Sequence, residues 1–477
     1  MSPRGTRQVQ VGRFGAWLAR PLASFHLVVT IATLLTVLGL VMVLSASSVE
    51  SYADGGSAYA LFVQQAMYAV IGAVLFYLAL RIPLRWLRQV SFPLFAASVL
   101  LLALVLIPGV GSTVNGARRW IDLGLFSIQP SEVVKVTFVI WGAHLLVSRR
   151  AAARAANDPG GLKNLLVPLV PAGLLVCLLI VLQPNLSTTI AMGIVLLALL
   201  WFGGLPVRLF LAILASGAIA ALVLALSAGY RSDRMRAFFN PGDDPQGINY
   251  QARQATYSLA DGGLWGRGLG QSRAKWSYLP NSHNDFIFAI IGEELGFLGC
   301  ALVLGLFALF VYTGLRIAAR SVDPFLRLLT ATATTWITAQ ALINIGYVVG
   351  LLPVTGLQLP LVSAGGSSLA LTLLMFGIIA NAARHEPEAV AALHAGQDGR
   401  VSRLLRLPKP EIYHSPRSRS GTPAAGSKAP ARATPRDDDR PRTRTRANSR
   451  GTDTLRATRA WEPSYSVTHG RERGKYR

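Results

Sequence analysis

The sequence predicts an all-α integral membrane protein with about ten transmembrane helices, both termini in the cytoplasm and large extracytoplasmic loops. Of its 477 residues, 52% are hydrophobic and only 14% are charged, whereas about a quarter of the residues of a soluble domain are charged. Apolar stretches of spanning length, about 20 residues each, recur along the chain. The basic N-terminal segment, residues 1–26, is expected to be cytoplasmic and to carry no cleavable signal peptide.

Ten apolar stretches within residues 27–384 form the predicted membrane domain. They cover about residues 27–46, 60–80, 90–107, 131–148, 165–183, 187–204, 208–228, 285–315, 325–350 and 367–383. Turn-forming residues separate the closest neighbours. QPNLS at 183–187 must turn between the fifth and sixth spans, and the pair Gly203–Gly204 separates the sixth from the seventh.

Basic residues at alternate span ends predict the orientation, because cytoplasmic loops carry an excess of Lys and Arg. The basic ends are marked by Arg81, Arg85, Arg88, Arg149, Arg150, Arg154, Arg208, Arg316, Arg320 and Arg327. The opposite loops at 47–59, 184–186 and 351–366 contain no Lys or Arg. Both termini are therefore expected in the cytoplasm, and residues 108–130 and 229–284 are expected to form large outer loops.

The C-terminal segment, residues 385–477, has the composition of a disordered cytoplasmic tail. It is rich in Arg, Pro, Ser and Thr and has almost no apolar clusters, so it cannot bury enough surface to fold. With 20 basic and 10 acidic residues it carries +10 of the total charge of +23. That charge fits an acidic cytoplasmic partner, anionic lipid headgroups or simply a solvated segment. Its place beneath a membrane bundle argues against nucleic acid.

A polar motif, NGARRWIDLGLFSIQPSEVVKV at 115–136, ends the first outer loop. Its candidate site residues are Arg119, Trp120, Gln129, Glu132 and Lys135. Glu132 and Lys135 are three residues apart, so they share a helix face and can pair. Such a pair just inside a membrane helix either faces a wet cavity or is purely structural. Arg119 beside Trp120 fits a platform for phosphate and sugar, or an interfacial anchor.

The stretch SHNDFIFAIIGEELG, residues 282–296, places three carboxylates where hydrocarbon is expected. Asp285 opens a span and is either a helix cap or a residue that does chemistry. At 1.5 Å and 100° per residue, Glu293 lies about 12 Å deeper and about 80° round from Asp285. Glu293 and Glu294 are therefore interpreted as buried structural carboxylates that bond to neighbouring helices.

The stretch LLPVTGLQLPLVSAGGSS, residues 351–368, combines prolines, glycines and serines with apolar residues. Irregular backbone at membrane depth is tolerated only where protein buries it or water fills a cavity. We therefore predict a re-entrant or interfacial loop close to a site. By themselves the residues leave two functions open: an enzyme that acts on an amphipathic lipid-linked substrate, or a transporter with an outward cavity.

These motifs, in this order, resemble the SEDS family of bacterial cell-wall proteins, the FtsW/RodA group, through most of residues 25–384. The strongest stretches are NGARRWIDLG…QPSE, NPGDDPQGINYQ, LWGRGLGQS, LPNSHNDFIFAIIGEELG and LLPVTGLQLPLVSAGGSS. The resemblance implies a ten-helix inverting peptidoglycan glycosyltransferase. Such an enzyme polymerises lipid II, a disaccharide-pentapeptide on undecaprenyl pyrophosphate, on the outer side of the cytoplasmic membrane.

The family's motifs imply roles for the candidate residues. An inverting transfer needs a base near the acceptor's 4-hydroxyl and positive charge near the departing pyrophosphate. By resemblance Asp285 is the catalytic base, with Arg119 and Lys135 as pyrophosphate contacts. Glu132 would orient Lys135 or help to hold a divalent cation, Mg²⁺ or Mn²⁺. Trp120 and Gln129 complete the expected substrate-binding set.

The last motif and the long basic tail resemble the division branch of the family, FtsW, more than the elongation branch, RodA, and HNDFIF is similar to actinobacterial members. The partners implied are a class B penicillin-binding transpeptidase and other divisome proteins, with FtsZ expected to bind the basic tail. The expected location is the cytoplasmic membrane at the division septum. Rival interpretations are a lipid II flippase, an elongation-type RodA paralogue and a non-catalytic scaffold. Polar motifs concentrated on one side of the membrane favour the enzyme over the flippase.

Overall fold

The computed structural model describes residues 20–55, 57–114, 117–124, 126–156, 166–227, 238, 250–273, 282–396, 403 and 405–413. All of these belong to the first of two units, Met1–Ser418; the second unit, Arg419–Arg477, lies outside the described residues. The predicted disorder of the tail beyond residue 413 and much of the predicted loop 229–284 also fall outside them.

Helices overlap all ten predicted spans. The helices are α1 (Ala23–Gly55), α2 (Ala60–Arg81), α3 (Leu84–Gln89), α4 (Ser91–Leu104), α5 (Pro130–Ala155), α6 (Leu169–Val181), α7 (Leu186–Phe202), α8 (Val207–Ser227), α9 (Tyr250–Gly262), α10 (Ile287–Arg320), α11 (Pro324–Val348), α12 (Ser367–Arg384) and α13 (Pro387–His394). Among the described residues, six helices are long and apolar enough to cross a membrane: α1, α2, α5, α8, α10 and α12. The helical membrane class is confirmed, while the number of crossings and their orientation stay predictions.

A small antiparallel sheet interrupts the otherwise helical fold in the predicted outer loop 108–130. Its strands are β1 (Ser112–Val114), β2 (Ala117–Asp122) and β3 (Ser127–Ile128), in the order β1–β2–β3. Tyr68 of α2 holds the sheet against the bundle, because its hydroxyl donates to the Ser127 carbonyl and accepts from the Ser127 N–H, both at 2.8 Å. The sequence pattern gave no expectation of strands in this loop.

The re-entrant or interfacial loop predicted at 351–368 is present as irregular backbone over residues 351–366, which we call the re-entrant loop, and it packs against the bundle. Leu357, Leu359, Leu361 and Val362 are buried in it. A Cβ at Gly39 of α1 would lie 2.8 Å from the Val362 Cα, so only a glycine allows α1 to approach the loop backbone so closely.

Helix α10 is broken at Gly296, whose φ of 67° and ψ of −165° are not helical. The backbone groups released by the break bond to the loop after α9. The Arg267 N–H donates to the Glu293 carbonyl and the Phe297 N–H donates to the Gly263 carbonyl, both at 2.9 Å. Neighbouring protein thus satisfies the irregular backbone, as a low-dielectric surrounding requires. Part of the predicted outer loop 229–284 therefore packs along the bundle as helix α9 and the loop after it.

Glu293 and Glu294 fasten this loop in place. Ser272 Oγ donates to Glu293 Oε2 at 2.7 Å and the Arg273 N–H donates to Glu293 Oε1 at 2.6 Å. Glu294 accepts from Ser45 Oγ of α1 at 2.6 Å and from the Ser272 N–H at 3.3 Å. The expected burial and hydrogen bonding of both glutamates are confirmed, but a neighbouring helix supplies only Ser45 of α1, which bonds to Glu294, and the other donors lie in the loop after α9.

The disordered tail was predicted to begin at residue 385, which is too early. Residues 387–394 form α13, and the segment 405–411, which we call the strap, returns to the bundle. The Leu405 carbonyl accepts from Tyr77 Oη at 3.3 Å, and Glu411 pairs with Arg85 at 3.0 Å. Leu405 and Leu407 pack against the core. The prediction of disorder from residue 385 onward is therefore wrong for residues 385–396 and 405–413. The reason is that apolar side chains within this basic segment pack against the bundle.

Candidate active site

A cavity of about 740 Å³ opens at the end of the bundle where α5, α7 and α10 begin. Polar residues from distant parts of the chain meet around it, together with an apolar side wall from α8. Its lining includes Arg119, Trp120, Gln129, Glu132, Asn185, Ser187, Thr188, Asn284, Asp285, Gln340, residues 353–358 and three residues of α8. Five of the six predicted site residues, all except Lys135, therefore line this cavity.

Strand β2 carries Arg119 and Trp120 to the cavity wall. Arg119 Nε donates to the Gln183 carbonyl at 3.1 Å and Arg119 Nη2 donates to the Pro184 carbonyl at 2.6 Å. These carbonyls belong to the turn between α6 and α7. The guanidinium is thereby held in a fixed position, with its positive charge beside the start of α7.

The start of α5 supplies Gln129, which is its N-cap residue, and Glu132 and Lys135 in its first two turns. Pro130 occupies the first helical turn, where its missing N–H has no cost. The Lys135 ammonium lies 2.8 Å from Glu132 Oε1 and 3.5 Å from Gln340 Oε1, and its side chain is 0% exposed. Glu132 and Gln340 line the cavity. Lys135 therefore lies one layer behind the cavity wall, while Glu132 faces the cavity.

The Lys135 site is closed from behind by an aromatic ring. Its ammonium lies 5.0 Å from the centroid of the Trp336 ring, and Trp336 Nε1 donates to Gln340 Oε1 at 3.2 Å. A cation over an aromatic face is stabilised by the negative face of the ring. Lys135 thus has partners on both sides, and its charge acts on the cavity through Glu132 and Gln340.

Asp285 lies on the cavity wall directly before α10 and is partly exposed. The N-cap of α10 is Phe286, and no side-chain cap hydrogen bond is made there. Asp285 therefore immediately precedes the N-cap residue of α10. A Cβ built on Gly356 of the re-entrant loop would lie 3.6 Å from Asp285 Oδ2. The carboxylate and the re-entrant loop thus form adjoining parts of one wall.

The start of α7 is a part of the site that the sequence interpretation missed. Asn185 caps this helix by accepting from the Thr188 N–H at 3.2 Å, and Asn185, Ser187 and Thr188 all line the cavity. In the sequence the QPNLS stretch indicated only a turn between spans. An Asn immediately before an apolar run is a helix-start pattern, and it was the available clue to this polar wall.

A divalent cation would find few protein ligands in this cavity. Among the described residues there is no group of three or more His, Cys, Asp or Glu side chains that could hold a metal. Asp285 and Glu132 do line one cavity. Mg²⁺ is commonly held by one or two carboxylates together with substrate phosphates. The described residues therefore fit a cation shared with a phosphorylated substrate and do not fit a cage made by protein alone.

Residues 25–388, which include every predicted site residue, match the model of the FtsW/RodA/SpoVE family, described as cell cycle protein. The chain belongs to this family. The family assignment expected from the motifs is thereby confirmed, and the match covers the whole predicted membrane domain.

Among FtsW/RodA/SpoVE proteins, the chain is 58% identical over 430 residues to a Mycobacterium tuberculosis protein named probable peptidoglycan glycosyltransferase FtsW, covering 89% of this chain and 81% of that protein. It is 37% identical to stage V sporulation protein E of Bacillus subtilis, covering 75% of this chain and 96% of that protein. The similarity to a mycobacterial protein agrees with the resemblance to actinobacterial members.

Two solved structures have a similar fold. One belongs to work described as structural coordination of polymerization and crosslinking by a peptidoglycan synthase complex, with a TM-score of 0.61. The other is the rod shape determining protein RodA of Thermus thermophilus, with a TM-score of 0.54. Each is 28% identical and covers 78% of this chain and 99% of the solved chain. The multi-pass membrane fold is therefore shared with solved relatives.

Proposed function

We propose that this chain is a peptidoglycan glycosyltransferase that polymerises lipid II into glycan strands on the outer face of the cytoplasmic membrane during septal cell division. The observation that supports it most is the single cavity shared by Asp285, Arg119 and Glu132. The activity also fits the 58% identity to a protein named probable peptidoglycan glycosyltransferase FtsW.

Asp285 is the proposed general base. Its carboxylate takes the proton of the acceptor's 4-hydroxyl while that oxygen attacks the anomeric carbon of the donor sugar. The new glycosidic bond forms as the bond from the anomeric carbon to pyrophosphate breaks, and undecaprenyl pyrophosphate leaves. Attack from the face opposite the leaving group inverts the anomeric centre.

Arg119 is the proposed contact for the departing pyrophosphate. Its guanidinium is already oriented by two carbonyls, so it offers positive charge without reorganisation during the reaction. Lys135, behind Glu132 and Gln340, is better suited to orient those two side chains than to touch phosphate directly. Trp120 and Gln129 line the same cavity and suit the sugar.

A divalent cation, Mg²⁺ or Mn²⁺, is proposed to be shared with the substrate. Glu132 would help to hold it together with pyrophosphate oxygens, which matches the small number of carboxylates on the cavity wall. When bound, the ion would neutralise part of the charge of the departing pyrophosphate.

The proposed partner is a class B penicillin-binding transpeptidase, which cross-links the strands that this chain produces. A solved relative belongs to work on a peptidoglycan synthase complex that coordinates polymerization and crosslinking. Other divisome proteins are also proposed. The net charge of +10 in the C-terminal segment suits FtsZ, through an acidic tail, and septal placement is proposed on this basis.

Polymerisation of labelled lipid II by the purified protein, with and without its transpeptidase, tests the proposed function. Asp285→Asn removes the base while keeping the size of the side chain. Asp122→Asn is the matched control, because Asp122 is an exposed acid of β2 whose oxygen accepts the Gly124 N–H, a bond that asparagine can also make. We expect polymer from the native protein and from Asp122→Asn, and none from Asp285→Asn.

Two results would contradict the proposal. Equal polymer from the Asp285→Asn and Asp122→Asn proteins would place the chemistry elsewhere. No polymer from a folded native complex would favour a transporter, which lipid II movement across vesicles would then reveal.

A further inference from the structure

Two side chains of α11 join the segment that carries Asp285 to the re-entrant loop. Asn344 and Tyr347 lie on one face of the helix and are both 0% exposed. Asn344 Nδ2 lies 3.0 Å from the Asp285 carbonyl and 2.7 Å from the Leu357 carbonyl. Tyr347 Oη lies 2.8 Å from each of the same two carbonyls.

The number of donor hydrogens shows how these contacts divide. Asn344 Nδ2 carries two hydrogens and the Tyr347 hydroxyl carries one, so three donor hydrogens are shared among the two carbonyls and the Tyr347 oxygen, which lies 2.6 Å from Asn344 Nδ2. Asn344 alone is able to serve both carbonyls, whereas Tyr347 alone is able to serve only one at a time. Asn344 is therefore the main link between the two segments, and Tyr347 reinforces it.

We propose that Asn344, reinforced by Tyr347, is a positioning residue that fixes the Asp285 carboxylate relative to the wall of the cavity. This inference rests on the proposed function of Asp285. The clamped carbonyl belongs to Asp285 itself, and the other clamped carbonyl follows Gly356, whose Cβ position lies 3.6 Å from Asp285 Oδ2. Holding both carbonyls on one rigid helix therefore sets the place from which the carboxylate reaches its substrate.

A second buried asparagine makes the same bonds far from the cavity. Asn381 of α12 is 4% exposed, and its Nδ2 donates to the Ala79 carbonyl at 2.9 Å and to the Ile82 carbonyl at 3.0 Å. These carbonyls lie at the end of α2, at the opposite, arginine-rich end of the bundle. Removing Asn381 takes a donor from two carbonyls, and removing Asn344 leaves only Tyr347 to serve its two carbonyls one at a time, so each change costs stability through lost hydrogen bonds. Only Asn344 is joined to Asp285.

The test compares Asn344→Ala with Asn381→Ala in the full-length protein, using lipid II polymerisation kinetics and thermal unfolding. We expect both variants to unfold at lower temperatures than the native protein. Asn344→Ala should lose about 10²-fold in kcat, since small misplacements of a reacting group have effects of this size, with KM for lipid II unchanged. Asn381→Ala should keep the native kcat per folded molecule. Tyr347→Phe should lower kcat much less than Asn344→Ala, because Asn344 still serves both carbonyls.

Equal kcat values for Asn344→Ala and Asn381→Ala, or a loss confined to KM, would overturn the positioning role. If Asn344→Ala does not fold, a Tyr347→Phe protein whose kcat falls as far as that of Asp285→Asn would overturn the order of the two donors.

Hydrogen–deuterium exchange separates this inference from the proposed function. Even if the native protein forms no polymer, Asn344→Ala should speed exchange at residues 283–286 and 356–358, and Asn381→Ala should not. Equal exchange in both variants at these residues would show that Asn344 does not hold the two segments together, whatever the activity of the native protein.

Discussion

The ion pair between Glu132 and Lys135 connects the cavity wall to the interior of the bundle. Glu132 is 8% exposed and Lys135 is 0% exposed, so neither charge is well solvated by water. A buried charge is tolerated only with a partner, and removal of one partner leaves the other uncompensated. The pair is therefore expected to matter for stability as well as for the orientation of Glu132.

Lys135→Met tests this expectation. The methionine keeps much of the volume of the lysine but leaves the Glu132 carboxylate buried and unpaired, so we expect a loss of about 3–5 kcal/mol in the free energy of unfolding. The double variant Glu132→Gln, Lys135→Met has no buried charge at this place and should recover most of that loss. Thermal unfolding of the purified proteins measures both. Equal stability of the single and double variants would contradict the coupling.

The sequence predicts some of these residue-scale features and cannot predict others. Spacing placed Glu132 and Lys135 on one helix face, because positions three apart are neighbours on any helix. The depth of Lys135 depends on Gln340 and Trp336, which lie about two hundred residues further along the chain. No local pattern contains that contact. For the same reason the motif indicated Asp285 but not Asn344 and Tyr347 of α11, which bond to its backbone.

At the scale of secondary-structure elements, the break in α10 depends on the close approach of two glycines, Gly296 and Gly266. A Cβ on Gly296 would overlap the Gly266 N–H and lie 2.6 Å from the Leu264 carbonyl oxygen. The φ of 67° at Gly296 is in the left-handed region, which L-residues rarely adopt. These contacts bring the loop after α9 close enough to bond to the released carbonyls of α10. Glycine is therefore required at the break by both space and backbone conformation.

Gly296→Ala should destabilise the protein by more than about 1–3 kcal/mol, the cost of a backbone conformation that essentially only glycine adopts, because the Cβ overlap adds to it. Gly305→Ala is the matched control, since Gly305 lies in the same helix and a Cβ there meets open space. Alanine at Gly305 should be neutral or stabilising by about 0.5–1 kcal/mol. Thermal unfolding of both variants decides between these outcomes. A similar shift in both would mean that the break has no special need for glycine.

Hydropathy predicted the positions of the helices because long apolar runs are a strong pattern. It did not predict α9, the sheet or the break in α10. The helix α9 is short and polar, so its composition is that of a loop. Gly296 does not by itself predict a break, since glycine is frequent in membrane helices that remain unbroken. Neighbouring helices were the predicted partners of Glu293 and Glu294, but most of the observed donors lie in the loop that includes Ser272, which was not identified.

At the scale of the whole molecule, the two ends of the bundle differ in their chemistry. The cavity occupies the end with the sheet and the re-entrant loop, and arginine residues gather at the other end. There the strap crosses the ends of α2 and α12, where Arg384 is 2% exposed and donates from Nη2 to the Pro408 carbonyl at 2.7 Å. The strap satisfies part of a buried guanidinium, so it is expected to belong to the folded unit and not to the tail.

Two truncations separate the strap from the rest of the basic segment. Ending the chain after residue 413 keeps the strap, so thermal stability and lipid II polymerisation should be unchanged. Ending it after residue 396 removes the Pro408 carbonyl from Arg384 and Glu411 from Arg85, so the unfolding temperature should fall. Both truncations remove charge that we propose for binding FtsZ, so fluorescent fusions of both should leave the septum. If the protein that ends at residue 413 stays at the septum, the tail is not the segment that binds the partner. If the two truncated proteins are equally stable, the strap does not stabilise the folded unit.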